Sequence, residues 1–119
     1  MQYLLLIYEN EKQWVSLSEE EQGKIFQEYM DYTNQIARSG NLVGGEALQP
    51  TSVTTTVRVK NGKTVTTDGP FAETKEQLGG YYLVEAKDLD EAIALAARIP
   101  GARTGSIEVR PIMPTPKPE

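Results

Sequence analysis

The segment Asp68-Gly69-Pro70-Phe71-Ala72-Glu73-Thr74-Lys75-Glu76, followed closely by Gly79-Gly80, concentrates carboxylates, a lysine, turn formers and a lone aromatic. Asp68 before a glycine of free φ and a proline of fixed φ forms a tight corner. Burial at such a corner would raise the carboxyl pKa toward that of a general base, which makes Asp68 the candidate catalytic group. The alternative is a plain Asx-type turn with no chemistry. Phe71 reads as a wedge sealing that corner. Glu73 and Glu76 are three apart, so on a short helical turn they share a face and could hold a hard cation or act as an acid/base pair. Lys75 between them is a counter-ion or a clamp for a substrate carboxylate. A solvated charged loop is the plainer reading of all three.

Other candidate ligand contacts lie on the predicted strands. Glu46 follows Gly44-Gly45 and can point into a cavity, while Arg58 and Arg110 are available for an anionic group. Glu108 and Arg110 alternate onto one sheet face as an ion pair. Tyr81 and Tyr82 must point to opposite faces, so at most one of them joins any given pocket. The glycine doublets lack the spacing and the following helix of a phosphate-binding loop, and read instead as bulges or close strand approaches. No metal site and no cofactor motif emerges.

These residues need a scaffold, and the composition bounds it. With 119 residues the chain forms one domain, and 39% hydrophobic with 24% charged residues is ordinary for a folded protein. The longest apolar run, Tyr3 to Tyr8, is far short of the roughly 20 residues that span a bilayer, and no secretory signal is read, so a cytoplasmic location is expected. A net charge of −5 with no long basic patch argues against nucleic acid, and nothing points to a membrane. There is no cysteine and no histidine, so thiolate chemistry, disulfides and imidazole catalysis are all excluded. Chemistry would have to run on carboxylates, Lys, Arg, Tyr or Thr.

Periodicity supplies the elements. Tyr3 to Tyr8 is apolar at consecutive positions, which predicts a strand covered on both faces. Ser18-Glu19-Glu20-Glu21 has the form of a capping box, opening a helix whose stripe is Ile25, Phe26, Tyr29, Met30, Tyr32, Thr33, Ile36 and Ala37, and which stops at Gly40-Asn41. Trp14 falls in the polar connection before it. Strands are predicted at 42–48, 53–59, 80–86 and 105–112. Asn61-Gly62 marks a tight hairpin turn. A second helix opens at Asp88, carries Leu89, Ala92, Ile93, Leu95, Ala96 and Ile99 inward, and stops at Pro100-Gly101. The domain thus runs over 1–112, with a proline-spaced, extended tail at 113–119.

This order fits an α+β class, a ferredoxin-like antiparallel sheet with two helices on one face and an inserted β-hairpin. The sheet's other face should then be polar, yet β-segment residues Leu4, Leu6 and Tyr8 are not. A second copy of the sheet is the simplest cover, giving a homodimer with a barrel-like interior.

The chain resembles the YCII-related family, in the branch marked by the Asp-Gly-Pro-Phe motif. The likeness runs from Tyr3-Leu4-Leu5-Leu6-Ile7-Tyr8 through Gly44-Gly45-Glu46 and the segment Asp68 to Glu76 with Gly79-Gly80, to Ser106-Ile107-Glu108-Val109-Arg110-Pro111. It implies a dimeric α/β barrel. It also implies an active site built on a His and Asp pair, and an association of some members with sigma factors. In this chain the histidine is missing, which leaves Asp68 alone. The resulting expectation is a small dimer that binds an organic ligand near Asp68-Gly69-Pro70-Phe71, with cofactor-free isomerase- or lyase-type chemistry. The alternative is a non-enzymatic regulatory module that contacts a protein partner such as a sigma factor.

Overall fold

A computed structural model describes residues 1–116; of the tail at 113–119, positions 117–119 lie outside the described residues. The opening apolar run forms β1 (Gln2–Glu9), the strand on which the rest is built. It pairs antiparallel with both β5 (Gln77–Glu85) and β6 (Ser106–Pro111), and β2 (Leu42–Ala47) pairs antiparallel on the far side of β5. The resulting order β2-β5-β1-β6 is that of a ferredoxin-like sheet.

Two helices cover one face. Helix α2 (Glu19–Arg38) opens with the expected capping box: the Ser18 hydroxyl accepts from the Glu21 amide at 3.1 Å, and the Glu21 carboxylate accepts from the Ser18 amide at 3.1 Å. It ends beside Gly40 at φ 82°, a backbone conformation that favours glycine. Helix α3 (Leu89–Ala97) is capped by Asp88, whose carboxylate accepts from the Glu91 amide at 2.9 Å. The core lies between these helices and one sheet face: Tyr3, Leu5 and Ile7 of β1 and Tyr82 and Val84 of β5 meet Tyr32 and Ile36 of α2 and Ala92, Leu95 and Ala96 of α3. The Tyr32 hydroxyl donates to the Leu95 carbonyl at 2.7 Å, joining the two helices inside that core.

The opposite face carries no helix. Leu4, Leu6 and Tyr8 alternate onto it and are partly exposed, so β1 is sealed on one side and only half-covered on the other. In register with them lie Leu83 and Tyr81 of β5 and Arg110 and Glu108 of β6, and the Arg110–Glu108 pair closes at 3.2 Å on the exposed surface.

Between β2 and β5 the chain leaves the body. β3 (Thr55–Lys60) and β4 (Lys63–Asp68) form a separate two-stranded sheet around Asn61 and Gly62, whose φ values of 50° and 76° are those the tight turn demands. The register puts Arg58, Lys60 and Lys63 on one hairpin face and Val57 and Val59 on the other. A chain of this length packed into one body would have a radius of gyration of about 13.5 Å. The observed 16.5 Å reflects the projecting hairpin.

Several expectations need correction. Trp14 is not in a connection but on a further helix, α1 (Glu11–Ser16), capped by Asn10, whose side chain accepts from Lys12 and Gln13. Six residues without a buried side chain give no periodic signal, so only the cap announced it. The strand predicted at 53–59 begins later, because Thr51–Val53 form a 3-10 turn. β5 begins earlier, at Gln77, because the glycine doublet is absorbed by a bulge: Ile7 pairs with Gly80 and Tyr8 with Leu78, skipping Gly79. The second helix ends at Ala97, ahead of a 3-10 turn at Pro100–Arg103. Leu89 and Ile93 do not point inward; both are 49% exposed, since they lie four apart on the flank of the Ala92–Ala96–Ile99 stripe. Phe26 and Met30 likewise overhang the core, at 58% and 60% exposed.

Candidate functional site

A well-formed hollow lies away from the Asp68 corner. It is a cleft of about 720 Å³ on the helix-bearing side of the sheet, between α2, α1 and the β2–β5 edge. Its volume falls within the range of small-molecule sites. Ile25, Phe26, Tyr29 and Thr33 of α2 form one wall, Trp14 and Val15 of α1 part of the mouth, and Gly45, Ala47, Gly80 and Tyr82 much of the floor. Trp14 stands edge-on to Phe26 with ring centroids 5.3 Å apart. This explains why the α2 stripe is broader than the core: its outer part lines the cleft.

The floor is low because it is built from small residues on the inward-facing positions of β2 and β5. A Cβ at Gly45 would sit 2.7 Å from the Tyr81 carbonyl oxygen, and one at Gly80 would sit 2.9 Å from that of Glu46. The two backbones therefore approach more closely than side chains would allow.

Polar groups on the floor are few and ordered. Thr33 Oγ1 donates to the Tyr29 carbonyl at 2.8 Å and lies 2.7 Å from the Tyr82 hydroxyl. Since the Thr33 proton is already used, Tyr82 is the donor in that second bond. The Tyr29 hydroxyl accepts from the Gly101 amide at 3.1 Å and lies beside the Glu9 carboxylate. A Cβ at Gly101 would lie 2.7 Å from the Tyr29 hydroxyl and crowd the Glu9 carboxylate, so a side chain there would push both aside. Gln77 accepts from the Glu11 amide at 3.0 Å and donates one amide proton to the Thr74 carbonyl at 2.6 Å. The Glu11 carboxylate accepts from the Thr51 amide and hydroxyl at 2.8 and 2.7 Å.

Burial pushes the Glu9 carboxyl above the usual carboxylate range. The hydrogen bond from Thr104 opposes this, the nearby Glu76 charge adds to it, and the Tyr29 hydrogen bond opposes it again. Burial, with the Glu9 charge beside it, also pushes the Tyr29 phenol up. For Glu9 the folded protein holds its proton to higher pH than the unfolded chain. Its contribution to stability is therefore complete below the unfolded value of 4.5 and is lost as pH rises through the higher folded value. Denaturant titrations across pH 4 to 8 should show that Glu9→Gln loses less stability than the native chain as pH rises. Parallel curves would mean that Glu9 titrates normally.

The sequence candidates are scattered relative to this cleft. Glu46 and Tyr81 border it, but they face each other in register on the helix-free side of the sheet. Asp68 ends β4, exposed, opposite Thr55, and the corner is held by the Gly69 amide donating to the Thr54 carbonyl at 2.7 Å. Gly69 has φ 100°, so the turn reading describes this corner. Arg58 lies exposed on the hairpin, and Phe71 is 81% exposed, which makes it no wedge. Glu73 and Lys75 lie in irregular chain, so Glu73 and Glu76 share no helical turn. Glu76 instead accepts from the Ser106 hydroxyl at 2.8 Å beside a small second hollow. Arg110 is on the helix-free face. Among the described residues no acidic group converges in a way that could hold a metal ion.

The sequence does not single out Glu9, Tyr29 or Thr33, because Tyr29 and Thr33 belong to the apolar stripe of the helix and Glu9 lies just past the apolar run, and it leaves Tyr82 open against Tyr81. Glu9, a carboxylate closing an otherwise apolar strand, was the one available signal.

A family profile described as "YCII-related domain" matches residues 1–116. The chain belongs to the YCII-related family. Among curated proteins, this YCII-related chain is 39% identical over 114 residues to a Rhizobium meliloti (strain 1021) protein described as "Uncharacterized protein R00369", covering 94% of this chain and 92% of that one. The family match thus takes in both the cleft and the Asp68 corner, and it leaves the ligand to be argued from the geometry.

Proposed function

We propose that this YCII-related protein binds a small, largely apolar organic molecule in the cleft between α2, α1 and the β2–β5 edge. The observation that carries this is the cleft itself, about 720 Å³, apolar on most of its wall, with its polar groups gathered on the floor. A soluble domain gains nothing by exposing such a lining unless something occupies it. If the bound molecule reacts, Glu9 is the group placed to exchange a proton with it, backed by Tyr29, and the chemistry is of the cofactor-free isomerase or lyase type. The functional unit in this reading is a cytoplasmic two-fold homodimer closed through the helix-free sheet face. Leu4, Leu6, Tyr8, Tyr81 and Leu83 support it as a continuous partly exposed apolar patch.

A thermal-shift screen with small aromatic and alicyclic compounds tests the cleft. A ligand at a hundred times its dissociation constant should add about 2.7 kcal/mol of stability. Ala47→Trp fills the cleft from an exposed position on β2 and should abolish the shift while the protein stays folded. If no compound moves the melting curve, contact with a protein partner through the hairpin takes precedence. The observation behind that second reading is the hairpin's isolation, with Val57 and Val59 at 59% and 70% exposed.

A further inference from the structure

Charge in the cleft is one-sided. Glu9, Glu11 and Glu46 line it, whereas among the described residues no lysine or arginine does. Glu11 is satisfied by Thr51, and Glu46 lies at the edge. Glu9 sits at the floor with no cation against it: among the described residues the ion pairs of the molecule all involve other carboxylates.

Hydrogen-bonding capacity is one-sided as well. On the floor the Tyr82 proton goes to Thr33, the Thr33 proton to the Tyr29 carbonyl, and one Gln77 amide proton to the Thr74 carbonyl. What Tyr82 and Glu9 can still offer a bound molecule is lone pairs, on the hydroxyl and the carboxylate. An incoming carboxylate would find no cation on the floor and would add a like charge beside Glu9. An incoming ammonium would supply both the missing protons and the missing charge, while Trp14 and Phe26 at the mouth accept an apolar or aromatic body.

We infer that the cleft selects a hydrophobic amine, bound as its ammonium with the charged end at Glu9 and Tyr82 and the apolar body against Trp14 and Phe26. This rests on the reading of the cleft as a ligand site. It sets aside the anionic ligand that Arg58 and Arg110 suggested, since both lie away from the cleft.

Three naphthalene probes of matched length separate the two levels of the argument: 2-(naphthalen-1-yl)ethylammonium, 2-(naphthalen-1-yl)ethanol and 3-(naphthalen-1-yl)propanoate. Fluorescence titration at pH 7.5 should show the amine binding at least tenfold tighter than the carboxylate, with the alcohol between them. Glu9→Gln should shrink the gap between amine and carboxylate to within about threefold, and the melting curve of that variant reports whether it is folded. A carboxylate or alcohol that binds as well as the amine would overturn the charge selection while the cleft stands. Failure of all three probes would overturn both.

Discussion

Leu6→Asp should turn the proposed two-fold dimer into a folded monomer. In the two-fold assembly proposed above, Leu6 sits in the middle of the apposed face, level with Tyr81 on one side and Glu108 on the other. An unpaired carboxylate buried there costs about 3–5 kcal/mol, and a two-fold axis makes the chain meet that cost in both copies. The like charge of Glu108 beside it adds to the penalty. Dimerisation should weaken by roughly 6 kcal/mol or more, which is about four orders of magnitude in dissociation constant. The monomer itself should hold, because Leu6 is partly exposed in the single chain and takes no part in the core. Sedimentation at micromolar concentration should give a particle of twice the 13.2 kDa chain mass for the native protein, and one chain for the variant. A native protein that sediments as one chain would end the dimer proposal.

Ile36→Ala should be the most damaging single truncation within the chain. Ile36 is 0% exposed on α2, in the layer where that helix meets the sheet. Removing its branched side chain loses transfer free energy and leaves a cavity, about 4 kcal/mol in such a setting. That is a large part of the 5–15 kcal/mol that keeps a domain folded, and it should lower the melting temperature by roughly 15 °C. Ile36→Val should cost about 1 kcal/mol. The informative contrast is Phe26→Ala, ten residues earlier on the same helix. Phe26 is 58% exposed and packs edge-on to Trp14, so its loss should cost about 1 kcal/mol. Equal losses at the two positions would mean that the cleft wall is core after all.

The same helix shows how far a sequence can be read. Its start is set by Ser18 and Glu21, a local hydrogen-bonding device, and its end by Gly40, so both were legible. The hairpin turn at Asn61-Gly62 was legible for the same reason, since few residue pairs adopt two successive positive φ values. The ferredoxin-like order followed from counting these elements. Periodicity could not say how much of the α2 stripe the sheet would cover, because coverage depends on where the edge strand β2 stops beneath the helix. Helix α1 is too short to give a periodic signal, whereas the glycine doublet does announce the bulge at Gly79, and only pairing with β1 sets which residue is skipped.

The candidate site shows the opposite limit. Charge and turn residues cluster around Asp68 in the chain, but neighbours in the chain need not converge in space. The fold spreads Asp68 to Lys75 along an exposed hairpin end and loop, while Glu76 reaches Ser106 of the main sheet. It assembles the cleft from positions far apart in sequence, with Glu9, Tyr29, Tyr82 and Gly101 brought together from two strands, a helix and a turn.

By itself the sequence determined the element types, the helix caps, the tight turn and the absence of cysteine and histidine chemistry, because each depends on residues that are neighbours along the chain. Only the tertiary structure decided which apolar residues became core and which became the wall of an open cleft. Only it set a carboxylate with no cation beside it on that cleft's floor. Burial and electrostatic environment are properties of what surrounds a residue in space, and contacts between distant segments set them.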